Sequence, residues 1–266
     1  MTRITSRIHS IDGLDHPFGI GIVPYVVEEG PRNLTLVDTC FVVEVPKLVA
    51  QLREEGYDIT DVKRLVLTHT HVDHVQAANE VKRISGAEIY SHWSEAGYLK
   101  GDPAYHGPPT HNAIESILSK LGISSEEVAK KYGSLARDPV LVDHQLRDGD
   151  RVGKLVVVHT PGHTPGHISL FSEEDGAIIG GDFLVKGVLG FDGLFVPDSS
   201  LSIDPIVAAV SARRISQLKF DKLLLAHQDA PLLGATAPER VEQAAAVTLN
   251  SSSTKAAASH VPVSGH

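Results

Sequence analysis

The sequence predicts a mixed fold of the α+β class, and two patterns in the chain indicate it. Strand-like segments at about 3–10, 20–28 and 33–38 succeed one another with Gly and Pro residues between them, as in an antiparallel meander. Further along, short apolar strands alternate with helical segments, which is typical of α/β structure. With 266 residues the chain can form one large domain or two small ones, and it can bury a core without disulfides.

The elements that follow the meander can be placed from local signals. A helix over about 46–55 has a proline in its first turn and a glycine just after its end. The apolar run Leu65-Val66-Leu67 is short and bounded by polar segments, which predicts a buried strand at 64–68. Helix and strand then alternate, with a helix at 75–84 and a strand at 88–90.

Four side chains of the kinds that bind metals follow this strand within six residues, in the pattern HxHxDH. If the chain is extended at first, His69 and His71 point to the same side, and Asp73 and His74 lie on the turn beyond them. One compact loop can then serve two neighbouring cations. The alternative is a solvated polar turn, which a lone HxH often is, so residues later in the chain decide between the two.

Residues 101–139 interrupt the alternation of helices and strands. A loop rich in Pro and Gly comes first, and apolar residues then recur at helical spacing from Ile114 to Leu121. A second helix is expected to begin at Ser124, with Glu127 three residues on in capping-box spacing. This pattern predicts a two-helix insertion, and the sequence leaves open whether it is a peripheral hairpin, a lid over a pocket or a dimer interface.

The second half of the chain repeats one arrangement, a strand that ends in a side chain of a metal-binding kind. His163 lies between two Pro-Gly pairs that force tight turns, Asp182 follows two glycines, and His227 follows an apolar strand. The strands are expected at 140–143, 151–158, 168–172, 177–180 and 222–226, and the helices from Asp204 to about 218 and from Thr236 onward. The tail at 250–266 is rich in Ser and Ala, and we expect it to be disordered.

Composition and charge argue against several functions. The formal net charge of −9 disfavours a nucleic-acid partner, because phosphate binding needs clustered Lys and Arg. Cys40 is the only cysteine, so no disulfide can form within the chain, and we expect neither a signal peptide nor a membrane span. These features predict a cytoplasmic protein without a nucleic-acid partner. The oligomeric state is not predicted, and a homodimer is compatible with the sequence.

Four motifs together resemble the metallo-β-lactamase superfamily of metallohydrolases. They are HxHxDH at 69–74, TPGHTPGH around His163, GGD at 180–182 and LLLAHQD around His227. The resemblance covers about residues 3–248. It implies a four-layer αββα sandwich with metals at one edge between its two sheets, formed by a single domain of residues 1–249 that carries the helical insertion.

The resemblance also implies a role for each of these residues. One metal ion would be bound by His69, His71 and His163. A second would be bound by Asp73, His74 and His227, with Asp182 bridging the two. The carboxylates would offset the repulsion between two dications held roughly 3.5–4 Å apart. Two Zn²⁺ ions are expected, although iron and manganese accept the same mixture of ligands.

A dinuclear centre of this kind implies hydrolysis of a carbonyl compound. A water or hydroxide held between the metals becomes a nucleophile near neutral pH and attacks the carbonyl carbon. The metals polarise the carbonyl and stabilise the leaving group. Asp73 and Asp182 are the predicted catalytic residues, and we hypothesise that Asp73 also passes a proton to the leaving group.

Residues outside the ligand set are predicted to support it. Asp38 matches an aspartate that follows an early strand in the family, and it would fix the tautomer of a histidine in the ligand loop, although it could also be a simple turn cap. His159 and His167 lie on either side of His163, and either can in principle be the ligand. The family pattern favours His163 and leaves the other two as supporting or structural residues. Cys40 stands where many relatives have glycine.

The resemblance implies a small-molecule substrate only as a class, namely a lactone, ester, thioester or lactam, with broad specificity. Acyl-homoserine lactonases of the family carry a tyrosine shortly after the bridging aspartate, whereas this chain has Phe183-Leu184-Val185-Lys186 there. The alternative enzymes are a glyoxalase II-like thioesterase, a nuclease of the same fold and an iron-dependent persulfide dioxygenase. A metal-binding scaffold is the alternative outside enzymology.

Overall fold

The strands form two large sheets and a small hairpin. The computed structural model describes residues 1–14, 21–102, 124–132, 138–187, 193–228 and 230–258. The first sheet has seven strands in chain order: β1 (Thr2–Arg3), β2 (Ile8–Ser10), β3 (Tyr25–Gly30), β4 (Asn33–Val37), β5 (Val62–Leu67), β6 (Glu88–His92) and β7 (His144–Leu146). The second has six, in the spatial order β15 (Leu232–Leu233), β14 (Lys222–Leu225), β11 (Ala177–Gly181), β10 (Ile168–Ser172), β9 (Leu155–His159) and β8 (Arg151–Val152). The hairpin pairs β12 (Val185–Lys186) with β13 (Leu194–Phe195).

Strand pairing brings the carboxyl ends of several strands to one edge of each sheet. Strands β1 to β4 pair antiparallel, as the predicted meander requires, and β4 to β7 pair parallel. The carboxyl ends of β5 and β6 therefore lie at the same edge of the first sheet. In the second sheet every pair is antiparallel except β11 with β14, so these two strands also end side by side.

Seven helices accompany the sheets in the described part of the chain. They are α1 (Val45–Glu54), α2 (Val72–Val75), α3 (Ala78–Ser85), α4 (Trp93–Leu99), α5 (Ser125–Tyr132), α6 (Pro205–Ser216) and α7 (Ala237–Ala258), with 3-10 turns at Val42–Glu44 and Ile59–Asp61. The start of α6 shows why a helix begins at a particular residue. The Asp204 carboxylate caps this helix by accepting hydrogen bonds from the backbone N–H groups of Ile206 and Val207, at 2.9 and 3.0 Å.

Three apolar clusters show how these elements are layered. One lies between the sheets and joins Val27 and Val66 of the first sheet to Val157 and Ile179 of the second. Another packs α1 and α3 against the outer face of the first sheet, and the third packs α6 and α7 against the outer face of the second. The order is helices, sheet, sheet, helices. This confirms the α+β class and the four-layer αββα sandwich.

Four predicted elements differ from the structure. The strands predicted at 3–10 and 151–158 are each divided into two short strands that pair with each other, β1 with β2 and β8 with β9. The helix predicted at 75–84 is interrupted between α2 and α3, because the Ala77 N–H donates to the Cys40 carbonyl instead of continuing the helix. The strand predicted at 140–143 is displaced to β7. The Val140 N–H donates to the Leu99 carbonyl at the end of α4, so pairing with β6 begins only at His144.

Helix α7 continues to Ala258, into the segment 250–266 that we expect to be disordered. Alanine has the highest intrinsic helix propensity, so a segment rich in Ala extends a helix that packing has already started upstream. Residues 259–266 lie outside the described part of the chain.

Part of the predicted two-helix insertion is described. Helix α5 confirms the helix that the capping-box spacing placed at Ser124. The helix expected from Ile114 to Leu121 lies outside the described residues, and the role of the insertion stays a prediction. None of the described helices combines the length and the apolar character that crossing a bilayer requires.

Candidate metal centre

The ligand loop leaves the first sheet at the carboxyl end of β5. His71 is the N-cap residue of α2, so Asp73 and His74 lie on a single helical turn that begins immediately after it. His69 and His74 are fully buried, and Asp73 is 8% exposed. The loop therefore places four side chains capable of binding metal at the edge of the sheet within a short stretch of backbone.

The structure brings the seven predicted ligands together in two groups, and in each group the candidate ligand atoms lie within 4.8 Å of one another. The first group is His69, His71, His163 and Asp182. The second group is Asp73, His74 and His227. Residues from the ends of β5, β9, β11 and β14 meet here, so both sheets contribute to the site.

Contacts within each group are short. In the first group, His163 Nε2 lies 2.8 Å from His71 Nδ1. In the second group, His227 Nε2 lies 3.1 Å from the Asp73 carboxylate. Imidazole nitrogens and carboxylate oxygens at such distances converge on one small volume, which is the arrangement a tetrahedral or five-coordinate metal site needs.

Asp182 lies between the two groups. Its Oδ2 is 3.8 Å from His69 Nε2 and 3.5 Å from His163 Nε2 in the first group. The same oxygen is 3.5 Å from His74 Nε2 and 3.5 Å from His227 Nε2 in the second group. One carboxylate oxygen thus faces four imidazoles at distances too long for good hydrogen bonds.

Several buried atoms in this site fit a bound metal. His69 Nε2, His74 Nε2 and Asp182 Oδ1 are buried and have no hydrogen-bond partner among the described residues. Leaving a buried polar atom without a partner costs free energy, which a cation held by these atoms would offset. Neutral imidazoles and carboxylates are ligands of divalent transition metals, so the two groups are suited to binding such ions.

Asp38 supports the ligand loop through three hydrogen bonds. Its carboxylate accepts from the backbone N–H of Thr68 at 2.8 Å, from the Thr68 hydroxyl at 2.7 Å and from His74 Nδ1 at 2.8 Å. The contact to His74 requires a proton on Nδ1, so the lone pair of Nε2 points into the site. Asp38 itself adopts a φ of 60°, which is unusual for a residue other than glycine.

The two histidines beside His163 differ in position. His159 was predicted to support the ligands. Its ring stacks on His92, with centroids 4.2 Å apart, and its Nε2–H donates to the Pro165 carbonyl at 2.9 Å, in the loop that carries His163. Side chains alternate along β9, so His159 lies on the side that faces the first sheet and meets His92 at the end of β6. His167 is the one that contacts the ligand set, through the backbone of Asp182.

Sequence reasoning missed a hydrogen-bonded bridge beside His227. The Gln228 amide accepts from the Leu225 N–H at 3.1 Å and donates to the Tyr25 hydroxyl at 2.6 Å. That hydroxyl donates in turn to the Leu225 carbonyl at 2.8 Å. The bridge ties the end of β14 to β3 of the other sheet. In the sequence, only the position of Gln228 next to His227 could have indicated this bridge. Nothing in the sequence pointed to Tyr25 as its partner.

Glu95 was also missed, and it supports the loop that carries His163. Its carboxylate accepts a hydrogen bond from the Gly166 N–H at 2.6 Å, and the side chain is buried. A Cβ at Gly166 would lie 2.6 Å from Glu95 Cγ, so glycine is required for this close approach. Glu95 belongs to none of the motifs in the sequence, so no pattern could indicate this contact.

Electrostatics divide the histidines of the metal-free site into two sets. Burial lowers the pKa of His69 and His163 well below the usual value and lowers that of His71 to about 4. Burial acts in the same direction on His74 and His227, but the carboxylates of Asp182 and Asp73 outweigh it and raise the pKa of both.

The carboxylate at the centre is held in its ionised form. Burial alone would raise the pKa of Asp182, but the neighbouring His227 and His74 outweigh that effect and hold its pKa far below the usual value. The ionised Asp182 and the neutral imidazoles of His69, His71 and His163 are ready to bind a divalent cation, because each ligand must offer a lone pair. His74 and His227, whose pKa values are raised, would each release a proton when a cation binds.

We expect the metal-free protein to lose stability as the pH falls from about 6.5 to about 4. His69, His71, His163 and His167 have depressed pKa values, to about 4 for His71 and about 3 for His167. In this window the unfolded chain therefore binds protons that the folded chain does not. Urea unfolding of chelator-treated protein at pH 7.0 and pH 5.0 measures the effect. The urea concentration at the midpoint of unfolding should be lower at pH 5.0.

The histidines with raised pKa values do not cancel this trend. The stabilisation from His74 and His227 is fully present below their unfolded pKa of about 6.5 and is lost only as the pH rises through their folded values. The contribution of Asp182 is lost only below about pH 4. An unchanged urea midpoint at pH 5.0 would contradict the assignment of neutral buried imidazoles.

The fold and the site together define a class of protein: a four-layer αββα sandwich with a candidate metal centre at one edge between its sheets. The chain belongs to the metallo-beta-lactamase superfamily, whose family model matches residues 19–227. This match includes the whole ligand set, from the histidine cluster after β5 to His227 at the end of β14.

Curated relatives and solved structures agree with this assignment. The chain is 25% identical over 211 residues to the probable metallo-hydrolase YflN of Bacillus subtilis, covering 74% of this chain and 76% of that protein. It is 29% identical over 170 residues to the hydroxyacylglutathione hydrolase GloC of Haemophilus influenzae, covering 62% and 68%. A metallo-beta-lactamase family protein from Thermus thermophilus superposes with a TM-score of 0.66 at 23% identity, covering 96% and 82%. These relatives support a metallo-hydrolase.

Proposed function

We propose that this protein is a dinuclear metal-dependent hydrolase of small carbonyl compounds, with two Zn²⁺ ions as its cofactor. The observation that carries the proposal is the position of Asp182, whose Oδ2 lies 3.5–3.8 Å from one imidazole nitrogen on each of four histidines in two ligand groups. A single carboxylate shared in this way suits a bridge between two cations, because its charge offsets their repulsion. Iron and manganese accept the same ligands.

The bound metals would supply a nucleophile from water at neutral pH and would polarise the substrate carbonyl. The chain supplies position and proton transfer. Asp38 holds His74 with its proton on Nδ1, and the two Pro-Gly turns present His163 from a stiff loop. Asp73 lies 3.1 Å from His227 Nε2 and is 8% exposed, so it can reach the reacting groups and pass a proton to the leaving group.

The substrate class we propose is a lactone, ester, thioester or lactam. A thioester of a hydroxy acid is the second, narrower candidate, and the names of two relatives favour it. Besides GloC, a hydroxyacylglutathione hydrolase of Fuscovulum blasticum is 28% identical over 156 residues, covering 56% of this chain and 44% of that protein. The apolar Phe183 and Leu184 directly after Asp182 are fully buried in the cluster that packs α6 and α7 against the second sheet.

We expect the purified protein to contain about two equivalents of divalent metal and to hydrolyse at least one member of a panel of lactones, esters, thioesters and lactams. Elemental analysis and the panel are measured on the same preparation. A chelator should abolish turnover and Zn²⁺ should restore it. An Asp73→Asn variant should lose turnover about 10²–10⁴-fold, the usual contribution of general acid–base catalysis. Because Asp73 is also a candidate ligand of the second group, the metal content of the variant is measured on the same preparation, and full turnover with both metals retained would remove the proton-transfer role.

Three results would replace this proposal. Metallated protein that hydrolyses no member of the panel would indicate a metal-binding scaffold. One iron per chain with oxygen consumption on a persulfide would indicate a dioxygenase. Cleavage of RNA or DNA would indicate a nuclease, which the net charge of −9 disfavours.

A further inference from the structure

His167 lies four residues after His163 and is fully buried behind the ligand set. Both of its ring nitrogens have partners. Nε2 lies 2.9 Å from the backbone nitrogen of Asp182, and Nδ1 lies 2.8 Å from the Thr160 hydroxyl. The ring centroid is 5.2 Å from that of His69 and 5.8 Å from that of His163. His167 therefore stands between the ligand side chains and the strand end that carries Asp182.

The hydrogen bonds determine which nitrogen of His167 carries the proton. A backbone N–H can only donate, so the contact with Asp182 requires Nε2 to accept and to be unprotonated. The proton of the neutral ring is then on Nδ1 and is donated to the Thr160 hydroxyl oxygen. In this arrangement each polar atom of the ring has one well-placed partner.

The network continues from Thr160 back to the strand that carries Asp182. The Thr160 and Ser169 hydroxyl oxygens are 3.1 Å apart, and the Ser169 hydroxyl donates to the Gly180 carbonyl at 3.0 Å. Thr160 also accepts the Nδ1 proton, so its own proton is available to Ser169. The end of β11 is thus held at two points, the Gly180 carbonyl and the Asp182 N–H, on either side of Gly181.

Gly181 shows how closely the imidazole packs against this backbone. Its φ of 61° lies in the left-handed region, and a Cβ there would be 2.7 Å from His167 Nε2 and 3.0 Å from the Thr68 hydroxyl oxygen. Contacts this short leave no room for a side chain. The backbone on both sides of the glycine is therefore restricted by the ring.

Metal binding by His167 itself is incompatible with these contacts. A metal on Nε2 would take the lone pair that accepts the Asp182 N–H, and it would leave that buried N–H without a partner. A metal on Nδ1 would displace the Thr160 hydroxyl and its link to Ser169. Of the three histidines in the segment 159–167, His163 is the one whose ring faces the ligand group.

We propose that His167 is a positioning residue that holds the bridging carboxylate: in its Nδ1–H form it accepts the Asp182 backbone N–H and so sets where the Asp182 side chain stands between the two ligand groups. The effect on metal binding rests on the proposed dinuclear function, whereas the hydrogen bond itself does not. The two parts can therefore be tested separately.

The hydrogen bond is tested by NMR on the full-length, 15N-labelled chain, with and without Zn²⁺. We expect a scalar coupling between the Asp182 amide nitrogen and His167 Nε2, and an Nε2 shift typical of an unprotonated ring nitrogen. A protonated Nε2, or a ring nitrogen that shows no coupling to Asp182, overturns the proposal. This outcome is independent of whether the protein binds metal or hydrolyses anything.

The consequence for the site is tested with two variants that each keep half of the imidazole's function. The amide of His167→Gln can place its oxygen near the position of Nε2, and that of His167→Asn can place its nitrogen near Nδ1. We expect Zn²⁺ titration to show about 10–100-fold weaker binding of one ion in His167→Asn, which is the usual effect of losing a residue behind a ligand. In His167→Gln the loss should be several-fold smaller.

Equal losses in the two variants, or no loss in either, would overturn the positioning role. If His167→Asn does not fold, the NMR coupling in the unmodified protein still decides the proposal. If the unmodified protein shows the coupling but binds no Zn²⁺, the proposed function fails while the hydrogen bond from Asp182 to His167 stands.

Discussion

Replacing Asp182 by Ala is expected to remove at least one of the two proposed metal ions and to lower turnover by more than about 100-fold. This exceeds the usual 10–100-fold cost of losing a residue behind a ligand, because Asp182 itself faces both groups. Its Oδ2 is within 3.8 Å of four imidazole nitrogens, so no neighbouring side chain can replace its charge. The variant and the unmodified chain are purified in parallel, and elemental analysis of both measures the metal content.

The control for this experiment is a carboxylate at the other end of the same sheet. Asp221 directly precedes β14 and its side chain is about half exposed, so Asp221→Ala should leave the metal content and turnover unchanged. Asp182→Asn keeps the shape of the side chain without its charge and should behave like Asp182→Ala. Full metal content and turnover in Asp182→Asn would mean that the carboxylate charge does not hold the ions together.

Replacing Gly162 by Ala is expected to cause the largest loss of stability among glycine substitutions in the site. Gly162 has a φ of 128°, and a Cβ there would overlap the backbone nitrogen and Cα of Ala208 in α6. Backbone strain costs about 1–3 kcal/mol, and overpacking costs about 1–3 kcal/mol more. The Gly162 carbonyl also accepts the Asp204 N–H at 2.9 Å, so relief of the overlap would displace the neighbouring His163.

Gly234 provides a matched control for the strain alone. Its φ of 114° is also in the region that favours glycine, but an added Cβ would have nothing within 4 Å. Urea unfolding of the two variants should therefore show that Gly162→Ala costs about 1–3 kcal/mol more than Gly234→Ala. Equal losses would show that α6 can move away from the loop at little cost, and the His163 loop would then be less firmly held than the structure indicates.

The ligand set could be proposed from the sequence because each ligand is local to a strand end. The HxHxDH cluster follows β5, His163 follows β9, Asp182 follows the Gly-Gly pair at the end of β11 and His227 follows β14. Apolar runs, glycines and prolines mark such places within a few residues. For the same reason the strands predicted at 33–38, 64–68 and 88–90 and the start of α6 lie close to their observed positions.

The supporting residues could not be chosen from the sequence, because they depend on contacts between distant segments. His159 and His167 are each four residues from His163, and the spacing does not distinguish them. Only the pairing of β9 with β10 and the end of β11 places His167 under the Asp182 N–H and His159 against His92. The contacts of β7 and α2 with neighbouring segments likewise moved two element boundaries.

The sequence by itself therefore indicated the strands, the helices and the candidate ligands through short-range patterns of apolar residues, turns and histidines. The resemblance of its four motifs to a known family indicated the superfamily and its sandwich fold. The tertiary structure decided which side chains hold the ligands in place. Tyr25 and Gln228 lie more than 200 residues apart in the chain and meet only because the two sheets pack face to face. Hydrogen bonds of this kind depend on distances of a few tenths of an ångström, which only the packed fold sets.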